Sequence, residues 1–177
     1  MMIRTRTGVT VDGFVSTADG WPVLASMPGF KPGASYGYRQ FIEDVDAVVM
    51  GRTTFLPALG APTWPWPDLD VYVLTSTALP ADTPAHVIAS QGGPEGLLEQ
   101  LRTRGSDGDV HLVGGPKTIR AFCELGALDR LELVVLPFLA GQGLPLSPEG
   151  SPPMTLGLAR SGVSYPDGAV ELVYIPE

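Results

Sequence analysis

Apolar and polar positions along the chain follow two rhythms: short apolar runs rich in β-branched residues, and stretches with helical spacing between them. Residues 3–11 read as a strand that puts Arg4 and Arg6 on one face and Thr5 and Thr7 on the other. Residues 47–50, 71–74, 86–89, 110–113 and 131–136 read as further strands. A helix is predicted over 36–44, with Ser35 as N-cap and Tyr38, Phe41, Ile42 and Val45 facing inward. A short helix capped by Thr53 or Thr54 follows the second strand and runs to Leu59. Pro94 opens a helix to Arg104, with Leu97, Leu98 and Leu101 inward. A last helix over 117–125 is stopped by Gly126. Two tail strands, 156–161 and 169–175, form a hairpin around Pro166-Asp167-Gly168.

Strand, helix and strand alternate through the middle of the chain. That pattern predicts an α/β fold, a mostly parallel sheet covered on both faces, with the tail adding an antiparallel hairpin. Two stretches stand outside it. Residues 14–33 carry repeated Gly and Pro and no sustained period, so a long loop is expected there. Loops of that length often act as lids, and Trp21, Met27 and Phe30 offer apolar surface for closing over a ligand or pinning the loop down. Trp64 and Trp66 lie between prolines, where they pack on the body, wall a pocket or meet a partner.

The chain has 177 residues, enough for one domain with a substantial core. A net charge of −8 argues against general binding to nucleic acid or anionic membranes, but not against a local anion pocket. The single cysteine, Cys123, excludes an internal disulfide and argues against a cysteine zinc site, so no metal is expected. The start of the chain leads into no long apolar segment, and a cytoplasmic setting is the expectation.

In open parallel sheets, ligands bind beyond the carboxyl ends of the strands. Three polar clusters fall there: Gly51-Arg52-Thr53, Thr75-Ser76 and Gly114-Gly115. The glycine pair between a strand and a helix offers backbone N–H groups suited to a pyrophosphate, or serves only as a tight turn. Arg52 beside hydroxyls suits a 2′-phosphorylated nucleotide, or pairs with a carboxylate such as Glu43. Asp12-Gly13 is either a turn or part of a ligand wall. The G-x-G-x-x-G nucleotide fingerprint is absent. His86 and His111 sit in strands and read as packed or exposed, and Cys123 as a buried thiol.

The order of motifs resembles the dihydrofolate reductase superfamily. These are Thr10-Val11-Asp12-Gly13, the stretch from Asp46 to Thr54, Leu112-Val113-Gly114-Gly115, the stretch from Gly126 to Leu133, and that from Pro137 to Leu146. It is most similar to the reductase domain of the bifunctional riboflavin-biosynthesis deaminase/reductase and its stand-alone relatives. The resemblance implies a central sheet of about eight strands. It implies an NADPH-dependent reductase in which Gly51, Arg52 and Thr53 hold cofactor phosphates and Thr75 and Ser76 lie near the adenosine 2′-phosphate. Gly114 and Gly115 would pass under the pyrophosphate and nicotinamide, often with an unusual peptide between them. Asp12 and the loop after it would border the nicotinamide and substrate. A proton donor is still required, and Asp12, Tyr36, Tyr38 and water are the candidates. The implied substrate is pyrimidine- or pteridine-like, as in 5-amino-6-(5-phosphoribosylamino)uracil reduction. Folate-type reduction and nucleotide binding without turnover are the alternatives, and a homodimer is the implied assembly. Two departures bear on the substrate: the helix over 36–44 carries no acid before Glu43, and the only cation in the long loop is Lys31.

Overall fold

A computed structural model describes residues 1–30 and 35–177. Among the described residues are ten strands, four α-helices and one 3-10 turn. The strands are β1 (Ile3–Thr10), β2 (Phe14–Ser16), β3 (Val45–Gly51), β4 (Asp70–Leu74), β5 (Val87–Ser90), β6 (Asp109–Gly114), β7 (Arg130–Leu136), β8 (Leu144–Pro145), β9 (Leu156–Ser164) and β10 (Val170–Pro176). The helices are α1 (Tyr38–Ile42), α2 (Arg52–Leu59), α3 (Gly93–Thr103) and α4 (Pro116–Glu124). Eight strands form one sheet in the order β5-β4-β3-β6-β1-β7-β10-β9. The first six are parallel; β10 runs antiparallel to β7, and β9 antiparallel to β10. This is the dihydrofolate reductase-like α/β fold that the motif order implied.

Strand β3 shows why its apolar run is unbroken. Ala47, Val48, Val49 and Met50 are all fully buried. Ala47 and Val49 pack with Leu97, Leu98 and Leu101 of α3 and Ile119 and Phe122 of α4. Val48 and Met50 pack on the other face with Phe41 of α1, Phe55 of α2 and Trp66. A strand covered on both faces has no side to spend on polar residues. Trp64 and Trp66 belong to this second layer: Trp64 meets the Phe55 ring edge-on at 6.0 Å and donates its indole N–H to the Trp66 carbonyl at 2.9 Å. They are packed on the body, with His86 Nε2 3.1 Å from the Trp64 indole nitrogen and 3.2 Å from the Trp66 carbonyl oxygen.

Three local expectations change. The stretch from Phe14 is not one open loop: it holds β2 and a 3-10 turn (Val23–Ser26). Val23 and Met27 are buried against Val134 and Leu136, and Phe30 packs beside them, while Trp21 stays exposed. Lys31 and Gly33 lie outside the described residues. Helix α1 is shorter than predicted and is preceded by Gly37, not capped by Ser35. Tyr36 and Gly37 both take positive φ, 43° and 76°, so regular helix cannot begin before Tyr38. Thr53 and Thr54 lie inside α2, whose N-cap is Gly51 without a side-chain hydrogen bond.

Arg4 and Arg6 do share a face, and it is buried. Arg4 pairs with Asp109 of β6 at 2.9 Å, and Arg6 with Glu132 of β7 at 2.8 Å and Glu171 of β10 at 2.5 Å. His111 is buried beside them, edge-on to Phe41 at 4.8 Å, and among the described residues neither ring nitrogen has a partner at full hydrogen-bond geometry. Burial, aided by the two guanidinium charges, pushes its imidazole down to about 3. Below pH 6.5 the unfolded chain therefore takes up a proton that the folded chain refuses, and stability falls as pH drops. Between pH 6.5 and 5, urea unfolding should lose up to about 1.4 kcal/mol per pH unit through this residue. His111→Leu should remove that component of the slope; an unchanged slope would show that the imidazole is not held neutral.

Candidate functional site

The order of the sheet creates one break in its winding. After β3 the chain moves outward through β4 and β5, then returns to lay β6 between β3 and β1. The carboxyl ends of β3 and β6 are thus neighbours, and their helices leave to opposite faces, since α2 packs with Val48 and Met50 and α4 with Ala47 and Val49. A crevice opens at such a switch point. It has a volume of about 460 Å³ and is largely apolar.

The floor is built from two helix starts. Gly51 and Gly115 are the N-caps of α2 and α4, and neither start has a side-chain cap. No side chain takes the first-turn N–H groups of α2, but at α4 the Thr118 N–H turns back onto the Gly115 carbonyl at 2.9 Å, so that start offers an outside anion little beyond the Lys117 N–H. Pro116 at the first position of α4 gives up no useful donor there. The two starts also touch crosswise. A Cβ on Gly51 would lie 2.9 Å from the Thr118 hydroxyl, and one on Gly115 3.3 Å from the Thr54 hydroxyl. Glycine at both places leaves the crevice its depth. The Gly114–Gly115 peptide is cis, which matches the unusual peptide implied for that pair. Lys117 and Glu149 stand at the exposed mouth.

A small ribbon of β2 and β8 forms another wall, with Val15, Ser16, Leu144 and Pro145 lining the crevice. Its closeness depends on Gly143, at φ 137°, where a Cβ would be 2.3 Å from the Ser16 carbonyl oxygen. Gly20, at φ 91°, likewise lets the turn after β2 rest on α2, 2.8 Å from the Thr53 carbonyl to a would-be Cβ.

The predicted residues divide into three groups. Gly51, Thr53 and Gly115 line the crevice, and Gly114 leads into it. Arg52, Thr75 and Ser76 make a separate polar patch at the ends of β3 and β4. Arg52 Nη1 donates to the Ala78 carbonyl at 2.9 Å rather than pairing with Glu43, and Thr75 Oγ1 donates to the Thr77 carbonyl at 2.9 Å. Asp12 and Tyr36 are not among the lining residues. The Asp12 carboxylate accepts from the Thr10 hydroxyl at 2.5 Å and from the N–H groups of Ala140 and Gly141 at 3.1 and 2.7 Å. These bonds, the Thr10 hydroxyl foremost, hold its carboxyl down to about 2. It is an anion that ties the end of β1 to the loop after β7, a poor proton donor at neutral pH. The Tyr36 phenol donates to Asp167 in the hairpin turn and is pushed up to about 12 by that bond. Thr7, Ser16, Lys117 and Thr118 were not singled out as site residues from sequence. Strands of two or three residues carry no readable period, and the one available hint was the pair of glycines before Leu144-Pro145.

The model of the RibD C-terminal domain family matches residues 2–167. The chain belongs to that family. It is 27% identical over 169 residues to the uncharacterized protein YwjB of Bacillus subtilis, covering 94% of this chain and 93% of that one. A protein from Shewanella sp. PV-4 provisionally assigned to riboflavin biosynthesis has the same fold, with TM-score 0.82, 24% identity and coverage of 100% and 99% of the two chains. The diaminohydroxyphosphoribosylaminopyrimidine deaminase/5-amino-6-(5-phosphoribosylamino)uracil reductase of Thermotoga maritima matches with TM-score 0.70 and 17% identity, over 99% of this chain and 56% of that one. Among the described residues of this RibD C-terminal-type chain no cluster of His, Cys, Asp or Glu can hold a metal ion, and no helix is long and apolar enough to cross a membrane.

The structural part given to Asp12 is open to test. Asp12→Asn should lower the melting temperature at pH 7. Because the carboxyl is depressed from 3.8 to about 2, the gap from wild type should close as pH falls through that window. A gap that persists unchanged to the acid end would contradict the staple.

Proposed function

We propose that this protein is a reductase that binds NADPH across the β3/β6 switch point and passes its hydride to a pyrimidine- or pteridine-like heterocycle. The observation that carries the reading is the pair of uncapped helix starts meeting across Gly51 and Gly115. They suit a pyrophosphate because two helix starts without side-chain caps and two glycines let an anion approach the backbone closely. Lys117 adds a cation at the mouth, and Thr53, Thr54 and Thr118 add hydroxyls. Arg52 and the 75–78 turn would take the adenosine 2′-phosphate at the ends of β3 and β4.

The bound cofactor would supply the hydride. The chain's own contribution is to fix the ring at the apolar end of the crevice and to keep water out. Glu149 and Lys117 are the titratable side chains on the lining, and both sit at the mouth. A proton for the product would therefore come through water at the mouth rather than from Asp12 or Tyr36. A ribosylaminouracil substrate of the kind named for the Thermotoga protein is favoured over folate, since α1 carries no carboxylate. The same scarcity of acids supports a second reading, nucleotide binding without turnover. A homodimer in the cytoplasm is the assembly we propose with either reading.

Calorimetric titration separates these readings. NADPH should bind more tightly than NADH, and Arg52→Ala should remove roughly tenfold of NADPH affinity while leaving NADH unchanged. Equal affinity for both dinucleotides, or none for either, would overturn the NADPH assignment. With binding in hand, NADPH oxidation in the presence of the ribosylaminouracil or of dihydrofolate identifies the substrate, and oxidation with neither supports the binding-only reading.

A further inference from the structure

Between β8 and β9 the chain runs as a strap, residues 146–155, with no regular structure. Its ends are fastened. The Leu146 N–H donates to the Gly13 carbonyl at 2.8 Å, and the Thr155 carbonyl accepts from the Glu177 N–H at 3.2 Å. Leu146 and Leu156 also pack against the core. Between those ends the one backbone hydrogen bond among the described residues is the strap's own, from the Ser151 N–H to the Pro148 carbonyl at 3.1 Å. At the tip of that turn a Cβ on Gly150 would meet nothing within 4 Å. Pro148, Pro152 and Pro153 stiffen the strap, so it can move as one piece about its ends.

The strap has room on both sides. Pro148 and Glu149 border the crevice, and residues 148–152 border a trough of about 290 Å³ along α4. Lys117 lines both spaces, whereas Arg120 lines only the trough. Arg120 Nε donates to Glu124 at 2.7 Å, and its Nη atoms have no partner among the described residues. A guanidinium bonded through Nε keeps donors for a second carboxylate. At the mouth, by contrast, Glu149 and an incoming phosphate would share the single ammonium of Lys117 and repel each other. We propose that the strap is a lid whose Glu149 carboxylate stands at the mouth where a ligand's phosphate must pass, and that an anion arriving there drives it into the trough, onto Arg120. The lid rests on the anion cradle of the reading above, and not on which dinucleotide fills it.

The test is a double-mutant cycle of Glu149→Gln and Arg120→Gln, titrated calorimetrically with NADPH and with inorganic pyrophosphate. Glu149→Gln should tighten both probes about threefold. Arg120→Gln should weaken both about threefold in the wild-type background and have no effect beside Glu149→Gln, where no carboxylate is left to receive. A loss equal in the two backgrounds would show that Arg120 attracts the ligand by itself, and would overturn the lid. Unchanged or weaker binding by Glu149→Gln would overturn it as well. Wild type that binds pyrophosphate but not NADPH would overturn the NADPH reading, with the lid then decided by the pyrophosphate cycle. Wild type that binds neither probe would overturn the cradle and the lid together.

Discussion

A row of buried charges holds the two halves of the sheet together. Arg4 and Arg6 project from the central strand β1 and reach Asp109 on β6, Glu132 on β7 and Glu171 on β10, which Arg160 of β9 also meets at 2.5 Å. The row therefore crosses the place where pairing changes from parallel to antiparallel. Such pairs contribute little net stability against an apolar alternative, but removing one partner from a buried pair costs about 3–5 kcal/mol. Their effect here is geometric. A shift of any of these strands by one residue would turn its charge to the opposite face. Arg6 also accounts for the shape of the chain above it: its Nε donates to the Tyr36 carbonyl at 3.1 Å, which draws the chain before α1 into its left-handed turn.

With that register set, the crevice is a consequence of strand order. Nothing in β3 or β6 alone makes a binding site. The site exists because β6 is inserted beside β3 after the chain has gone out to β5 and come back. Glycines then set its dimensions, Gly51 and Gly115 on the floor and Gly20 and Gly143 where the neighbouring wall presses against α2 and β2. The same economy explains the Asp12 carboxylate, which is spent on the loop after β7 and so keeps the approach to β8 in place.

Much of this was readable from the residues and some was not. The strands of the parallel core and the helices α3 and α4 fall within one or two residues of their predicted bounds, because long apolar runs and capping residues are local signals. The clusters at Gly51, Thr53 and Gly115 were also visible as breaks at strand ends. What Asp12 and Tyr36 hold in place was not readable from the residues, for one reason. A carboxylate and a phenol look alike in sequence whether they face a ligand or fasten a loop, and their partners, Ala140, Gly141 and Asp167, lie about 130 residues away.

By itself, the sequence determined the class of fold, the edge of the sheet where the polar and glycine clusters fall, and the family through the order of its motifs. Those follow from periodicity and from glycine and proline punctuation, which act over a few residues. The tertiary structure alone decided that Arg4 and Arg6 are buried and that Trp64 and Trp66 pack inward. Each of these is set by strands distant in the chain, and hydrogen bonds and burial are properties of neighbours in space.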